Sequence, residues 1–354
     1  MRLTVTQKRK INNALKITLS GLVIGLVYPL FADGFTEIIP YINGGAIGLI
    51  GGLFISLLEL EVFDSRKRKR PFLSTLIQKT GLYFLFFAVL IPLIMCFNES
   101  IYYDRGFSEH FRSEPFQSFF LREDYDVILF YAFIFIGIII FTRQMSRKLG
   151  QGVLFNYISG RFHQPREVEA IFMYLDIRSS TTIAEKLGAI NFHRFLHDFF
   201  LDITASIMAT KGVIYRYVGD QVVVIWKMKA GLMNANCIRT YFNIKNTLKQ
   251  LREKYIDKYG FVPRFSSSFH CGRVVVGEIG EVKSQIVYHG EILYQTTAIE
   301  KKFSELDLKE AVLISEPLIK LLPIPALFKI VKVAEVDNFG KGIMDVYTLV
   351  ESKN

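Results

Sequence analysis

Two aspartates stand at the ends of predicted strands and could hold a metal ion together. Asp176 closes an apolar run over residues 172–176, the pattern of a buried strand whose last side chain emerges at the edge of a sheet. Asp220 follows Gly219 between two β-type runs, which is typical of a tight hairpin. Carboxylate oxygens are the ligands that hard divalent cations prefer. Either aspartate alone is more typical of a turn or a helix cap, but together they predict a magnesium site.

The segment between the two aspartates predicts the elements that position them. Residues 189–210 read as a helical region in which Phe192, Phe195 and Phe199 recur at helical spacing. A strand, a helical region and a hairpin therefore follow one another along the chain. We expect both carboxylates on neighbouring edges of one sheet, and we expect the phenylalanine stripe to be core.

The first 142 residues are predicted to cross a membrane. The chain has 354 residues, of which 51% are hydrophobic and 32 are Phe. A helix needs ~20 apolar residues to span the hydrocarbon core of a bilayer. These residues predict an all-α transmembrane bundle of four helices, with the lipid bilayer as a partner. The four uncharged runs that approach this length are 17–32, 42–58, 80–97 and 127–142.

The distribution of cations predicts the orientation of these helices, because short loops rich in Lys and Arg stay in the cytoplasm. Cations lie at residues 8–10, 66–70 and 143–148, whereas residues 34–41 contain no Lys or Arg and residues 98–126 contain three Arg against seven acidic residues. Both termini are therefore predicted to be cytoplasmic, in a multi-pass protein of the inner (plasma) membrane. Anionic lipid explains the net charge of +10, and no nucleic-acid partner is expected.

The chain is predicted to have three parts. A transmembrane domain over residues 1–142 precedes a linker over 143–169 and a cytoplasmic domain over 170–354. Breakers flank a short amphipathic piece in the linker, which could be a transducer or a passive tether. The three cysteines form neither a disulfide framework nor a metal-ligand pattern.

The cytoplasmic part carries a series of motifs in a fixed order. The series begins with an Asp-Ile-Arg strand end, a Ser/Thr-rich turn and a Tyr-Val-Gly-Asp hairpin. It continues with a Phe-His-Cys-Gly segment followed by further glycines, a segment leading into a helix, and a terminal strand. They lie at residues 176–178, 179–181, 217–220, 269–280, 286–290 and 345–347. In this order, and over about residues 166–349, the chain resembles the catalytic domain of the class III nucleotidyl (adenylyl/guanylyl) cyclases.

The resemblance implies a fold and an activity. It implies an α+β, ferredoxin-like catalytic domain, with a mostly antiparallel sheet built on a β-α-β-β-α-β core. The activity is the conversion of a nucleoside triphosphate to a 3′,5′-cyclic nucleotide and pyrophosphate, using two Mg²⁺ ions for which Mn²⁺ can substitute.

The resemblance also implies the residues of the site. Asp176, Asp220 and the backbone carbonyl of Ile177 are the expected metal ligands. The start of the following helix is expected to face the phosphates, because free N–H groups and the helix dipole favour anions there. The residues of this helix start are Arg178, Ser179, Ser180 and Thr181.

The chain departs from the family where the second subunit completes the site. Family members supply an Asn and an Arg from a later helix, and the aligned positions here are Tyr294 and Ala298. Losing one charge-stabilising donor typically costs ~10²–10³ in rate. Arg216 and Lys341 are the candidate substitute cations. The functional assembly is therefore expected to be a homodimer, or a heterodimer with a related cyclase chain.

Base selection rests on two positions of the resemblance. Arg216 stands where adenylyl cyclases carry Lys and guanylyl cyclases carry Glu, and arginine has only donors, which disfavours guanine. Val287, at the second base-contacting position, can form no side-chain hydrogen bond. A base that offers an acceptor, such as adenine or a pyrimidine, fits these positions, and ATP is the favoured substrate.

Three other functions compete with a membrane-bound cyclase. The first is a catalytically impaired cyclase-like regulatory or heterodimer subunit, which Tyr294 and Ala298 favour. The second is a diguanylate cyclase, whose Gly-Gly-Asp/Glu-Glu-Phe signature residues 218–222 do not match. The third is a receptor or channel with an inert domain, which is disfavoured because the four predicted spans contain no charged residue.

Overall fold

The structure is a computed structural model whose chain divides into two compact units, Met1–Lys148 and Leu149–Asn354. The described residues are 5–32, 38–61, 71–122, 124–150, 152–307, 311–325, 328–338 and 340–351. The cations at residues 66–70, which were used to predict orientation, lie outside them.

The first unit is helical. Its helices are α1 (Val5–Ala32), α2 (Ile39–Glu61), α3 (Phe72–Tyr102), α4 (Phe107–Phe111), α5 (Glu114–Arg122) and α6 (Asp124–Leu149). Among the described residues, three segments are long and apolar enough to cross a membrane, and they are Ile39–Glu59, Phe72–Tyr102 and Tyr125–Ser146. The apolar part of α1 covers only Ala14–Val27. An N-terminal region of apolar helices compatible with membrane spans is thus confirmed, while the count of four spans stays a prediction.

Glycines bring α1 and α2 into backbone contact. A Cβ atom at Gly25 would lie 2.0 Å from the carbonyl oxygen of Gly44, and one at Gly21 would lie 2.4 Å from that of Gly48. Small residues at these positions let two helices approach closely, which is a common packing mode in membranes. The glycine spacing therefore specifies how these two helices pack.

An ion pair lies between α2 and α3, so the prediction that the spans contain no charged residue is wrong. Lys79 Nζ contacts Glu59 Oε1, and the Tyr83 hydroxyl donates to the same oxygen at 3.2 Å. The Lys79 side chain is 2% exposed. Helix α3 begins before the uncharged run that predicted it, and it therefore includes Lys79. Mutual pairing explains how the two charges are accommodated among apolar residues.

The second unit contains an eight-stranded sheet and its covering helices. Its elements are α7 (Val153–Ile158), β1 (Arg166–Ile177), α8 (Ser180–Ala209), β2 (Val213–Val218), β3 (Gln221–Lys227), α9 (Met228–Leu232), a 3₁₀ turn (Met233–Ala235), α10 (Asn236–Gln250), α11 (Arg252–Tyr259), β4 (Phe265–Ile279), β5 (Gln285–His289), α12 (Glu291–Glu305), β6 (Val312–Ser315), α13 (Glu316–Ile319), β7 (Phe328–Asp337) and β8 (Ile343–Glu351). Strand β1 begins four residues before the boundary predicted at residue 170, and α6 includes the first residues of the predicted linker.

The strand order identifies the core of the sheet. The order is β2-β3-β1-β4-β6-β8-β7, and β5 pairs with the second half of β4. Strands β4 and β6 are parallel, and the other pairs are antiparallel. The β2-β3-β1-β4 portion, with its intervening helices, is the predicted β-α-β-β-α-β core. The α+β, ferredoxin-like class is therefore confirmed.

Strand β1 is buried on both faces, which explains its uninterrupted apolar run. Ile171, Met173 and Leu175 pack on one face with residues of α8 and α10. Phe172 and Tyr174 pack on the other face, where α12 contributes Ile292. Asp176 follows Tyr174 on this second face, so the carboxylate lies on the side of the sheet that α12 covers.

Candidate active site

The structure brings Asp176 and Asp220 together. Asp176 is the last residue but one of β1, and Asp220 is the second residue of the two-residue turn between β2 and β3. Gly219 has φ +62°, as the first position of a type II′ turn requires. Because β1 pairs with β3 up to Leu175 opposite Val222, the strand end and the turn are neighbours. The two carboxylates are close enough that the charge of Asp220 raises the pKa of Asp176.

Crowding of negative charge changes the chemistry of this pair. Burial is the largest cause that raises the pKa of Asp176, and with the charges of Asp220 and Glu300, which Arg178 opposes, the pKa reaches about 7. The protein itself therefore supplies little positive charge to balance the negative charges of these two neighbouring carboxylates. A divalent cation between them would relieve this repulsion.

The donor set fits a magnesium-like ion. Both side chains offer hard oxygen ligands. Within the part of the chain that the structure describes, no group of three or more His, Cys, Asp or Glu residues is arranged to hold a metal ion. The remaining ligands would be backbone, nucleotide or water oxygens. Ile177, whose side chain is buried at 1% exposure, can offer only its backbone.

The predicted phosphate-facing turn lies directly after Asp176. Ser179 adopts a left-handed conformation with φ +58° and precedes α8, which begins at Ser180. No side chain caps this end of α8 in the described structure, so the first backbone N–H groups are open to an external acceptor. Thr181 is exposed, and Arg178 is half-buried. The turn and the aspartate pair therefore form one continuous surface.

The two candidate substitute cations have other partners within one chain. Lys341 Nζ lies 2.5 Å from Glu291 Oε2, at the start of α12. Arg216 is exposed on β2, with its guanidinium 5.3 Å from the ring centroid of Tyr215. The cation that acts on Asp176 is instead Arg178.

The remaining predicted positions lie on β5 and α12. Val287 is half-buried on β5 opposite Gly277 of β4. Tyr294 is 66% exposed, whereas Ala298 packs against the cluster that contains Ile299. Tyr294 and Ala298 thus differ in role, since the first faces outward and the second is partly core.

Two residues of the site were missed in the sequence. Gln221, directly after Asp220, donates from Nε2 to Glu300 Oε1 at 2.6 Å. Burial raises the pKa of Glu300, the hydrogen bond from Gln221 lowers it, and the Asp220 charge raises it. Glu300 is therefore not part of a solvated face, although Lys301 and Lys302 follow it. Its spacing of four residues from the buried Thr296, itself four from Ile292, was the available signal.

Comparison with known structures identifies the class of fold. Two solved structures, each of a bacterial light-regulated adenylyl cyclase, superimpose on the chain with TM-scores of 0.52 and 0.51. The first is 20% identical in sequence, and the match covers 64% of this chain and 66% of the solved chain. The second is 19% identical, and the match covers 65% of this chain and 67% of the solved chain. The second unit therefore has the class III adenylyl/guanylyl cyclase catalytic fold, as the sequence resemblance implied.

Sequence comparison gives a named relative. The chain is 30% identical over 215 residues to "Adenylate cyclase 2" of Rhizobium meliloti (strain 1021). The match covers 61% of this chain and 59% of the relative, so the chain spans less than two thirds of that protein. No family model matches the chain.

Proposed function

We propose that this chain is a membrane-bound class III nucleotidyl cyclase. It converts a nucleoside triphosphate to a 3′,5′-cyclic nucleotide and pyrophosphate. The observation that carries the proposal is the pair of neighbouring carboxylates, Asp176 and Asp220, beside the uncapped start of α8. The similarity to an adenylate cyclase over 215 residues supports it.

For this reaction, the protein mainly has to position the reacting groups and stabilise the developing charge. The bond from O3′ to the α-phosphorus forms, the bond from that phosphorus to the β-bridging oxygen breaks, and the hydroxyl proton is released. Two divalent cations, Mg²⁺ or Mn²⁺, would supply activation of the hydroxyl and neutralisation of the triphosphate. Asp176, Asp220 and the Ile177 backbone would hold them.

The residues after Asp176 would orient the triphosphate. The open N–H groups at Ser180 and Thr181 offer donors to phosphate oxygens at the positive end of a helix dipole. Ser179 bends the chain so that these groups follow the metal ligand directly. Arg178 adds a fixed positive charge next to Asp176. This arrangement would bind the triphosphate and the cations as one unit.

ATP is the proposed substrate. The Arg216 guanidinium can donate to an acceptor on adenine but cannot accept from guanine. Val287 offers no further side-chain hydrogen bond to a base. The name of the relative from Rhizobium meliloti agrees with this assignment.

The proposed assembly is a homodimer in the inner membrane, with the second unit in the cytoplasm. The outward-facing Tyr294 and the neighbouring Ala298 occupy the positions that complete the partner's site in the family. Lys341, now paired with Glu291, would be the cation supplied to the triphosphate.

A second candidate function is a regulatory or heterodimer subunit. The observation that favours it is that neither Tyr294 nor Ala298 carries a charge for the transition state. A related chain that supplies Asn and Arg would then complete a site with Asp176 and Asp220. Under this second function, Ala298→Arg raises a low homodimer rate, whereas under the first it leaves the rate unchanged or lower.

The test is an assay of membranes that contain this chain alone. They are incubated with ATP, GTP, CTP or UTP and with Mg²⁺ or Mn²⁺, and the products are identified by mass. We expect 3′,5′-cyclic AMP and pyrophosphate from ATP. Membranes that form no cyclic product from any of the four triphosphates would contradict the homodimer and leave the regulatory subunit.

A further inference from the structure

We propose that Glu300 is a positioning residue of the metal site, which holds the Asp220 turn through Gln221 and tightens divalent-cation binding with its own negative charge. The inference rests on the proposed function. It concerns a residue of α12 that is no part of the expected ligand set. It explains why a carboxylate is buried beside two others.

The first step is mechanical. Gln221 is the first residue of β3, and its Nε2 atom donates to Glu300 Oε1 at 2.6 Å. The adjacent residue Ile299 is fully buried, and Phe303 one turn on is 1% exposed. The Glu300 segment of α12 is therefore fixed to the core. The hydrogen bond ties the residue that follows the two-residue turn to this fixed helix.

The second step is electrostatic. The negative charge of Glu300 acts on Asp176, and the negative charge of Asp220 acts on Glu300. Asp176 lies on the face of the sheet that α12 covers, and Glu300 belongs to α12, so partial burial leaves the interaction of these groups poorly screened. A cation bound by the aspartate pair is therefore attracted by a third carboxylate.

Glu300 acts without being a ligand. Over the described ranges, no three carboxylates are placed to share one ion, and Glu300 is engaged by Gln221. Groups that support metal ligands from outside the coordination sphere typically change affinity by about 10- to 100-fold when they are removed. We therefore expect an effect on affinity and none on the number of bound ions.

The experiment measures Mn²⁺ binding to the purified full chain in detergent, without nucleotide, by the electron paramagnetic resonance signal of free Mn²⁺. Glu300→Gln removes the charge and keeps a hydrogen-bonding group, and we expect it to weaken binding about 10- to 100-fold. Gln221→Ala keeps the charge and removes the hydrogen bond, and we expect a smaller loss. Trp226, the single tryptophan of the chain, is 1% exposed, and its fluorescence checks that each variant is folded.

A matched control comes from the same helix. Glu305→Gln removes an equal charge at a residue that pairs with Lys302 and is 55% exposed, and its Mn²⁺ affinity should equal that of the wild type. Asp220→Asn should lose binding. If Glu300→Gln binds Mn²⁺ as the wild type does while Asp220→Asn has lost it, the role of Glu300 is refuted and the proposed function stands. If Asp220→Asn also binds normally, the metal site of the proposed function is itself refuted.

Discussion

His270 is a buried, neutral side chain with a partner at each ring nitrogen. It is 4% exposed on β4, with Nδ1 2.8 Å from the Ser315 hydroxyl and Nε2 2.7 Å from the Gln295 amide oxygen. An amide oxygen can only accept, so Nε2 carries the proton and Nδ1 accepts from Ser315. Burial lowers the pKa of His270 to about 4. His270 is thus a packed histidine of the core.

The lowered pKa predicts an acid-sensitive domain. An unfolded histidine has a pKa near 6.5, so the unfolded chain binds the proton more readily and stability falls as the pH drops from 6.5 towards 4. Between pH 7 and pH 5, His270 should remove about 2 kcal/mol from the free energy of unfolding. Denaturant unfolding of the full chain in detergent, followed by Trp226 fluorescence, measures this.

The variant His270→Gln isolates the effect. The raised pKa of Asp176 contributes a slope of the opposite sign, since a protonated Asp176 favours the folded state as the pH falls. This contribution is common to both proteins and cancels in their difference. The stability lost by His270→Gln should shrink from pH 7 to pH 5. An equal loss at both pH values would argue against a neutral, buried ring.

Single residues differ in how far the sequence predicts them. Asp176 and Asp220 are marked locally, by a strand end and by a glycine turn. Glu300 is marked only by its helical spacing from Ile292 and Thr296, and its partner Gln221 is 79 residues away along the chain. A local pattern carries no information about such a contact, and the adjacent Lys301 and Lys302 made the segment look solvated.

At the scale of elements, the α1–α2 contact gives the clearest prediction. Gly25→Val places a side chain 2.0 Å from a backbone oxygen of Gly44, and a backbone cannot move aside without separating the helices. Overpacking of this kind typically costs about 1–3 kcal/mol. We expect the full chain in detergent to aggregate at a clearly lower temperature, as size-exclusion chromatography after heating would show.

A control for this substitution lies in α3. A Cβ atom at Gly81 meets nothing within 4 Å, so Gly81→Val carries the same helix-propensity cost without the steric one. Its aggregation temperature should stay near that of the wild type. Equal temperatures for both valine variants would mean that α1 and α2 do not pack through these glycines.

The boundaries of the elements follow from tertiary contacts that the sequence pattern misses. Strand β1 starts at Arg166 because residues 166–169 pair with 273–276 of β4, although they are mostly exposed and charged. The charged residues in this segment interrupt the apolar pattern from which a buried strand is predicted. Likewise, α3 includes Lys79 because its charge is met by Glu59 of another helix. The apolar centres of both elements were nevertheless predicted correctly.

At the scale of the whole molecule, the two units are built for different solvents. In the first unit, long apolar side chains are exposed on the membrane-length helices, for example Leu73 at 63%, Ile77 at 62% and Leu85 at 64%. An apolar surface of this kind fits a bilayer. The second unit buries its apolar residues on both faces of a sheet.

The difference between the two units explains which parts of the structure the sequence predicts. The apolar runs locate the membrane part, and the motifs over about residues 166–349 locate the cyclase fold. The predicted number of spans depends on the minimum length that an apolar helix needs to cross the bilayer. The apolar part of α1 is shorter than the other three, so composition alone does not decide whether α1 is a span.

Formation of cyclic AMP is proposed to depend on the cation-binding aspartate pair. The most direct test compares the rates of ATP conversion by membranes that carry the wild type and by membranes that carry Asp220→Asn. Asparagine keeps the size and removes the charge, and Trp226 fluorescence reports whether the domain is folded. The wild type should release cyclic AMP and pyrophosphate in equal amounts only when Mg²⁺ or Mn²⁺ is present, and Asp220→Asn should be slower by at least ~100-fold. Equal rates for the two proteins, or product formed in the presence of a chelator, would contradict the account.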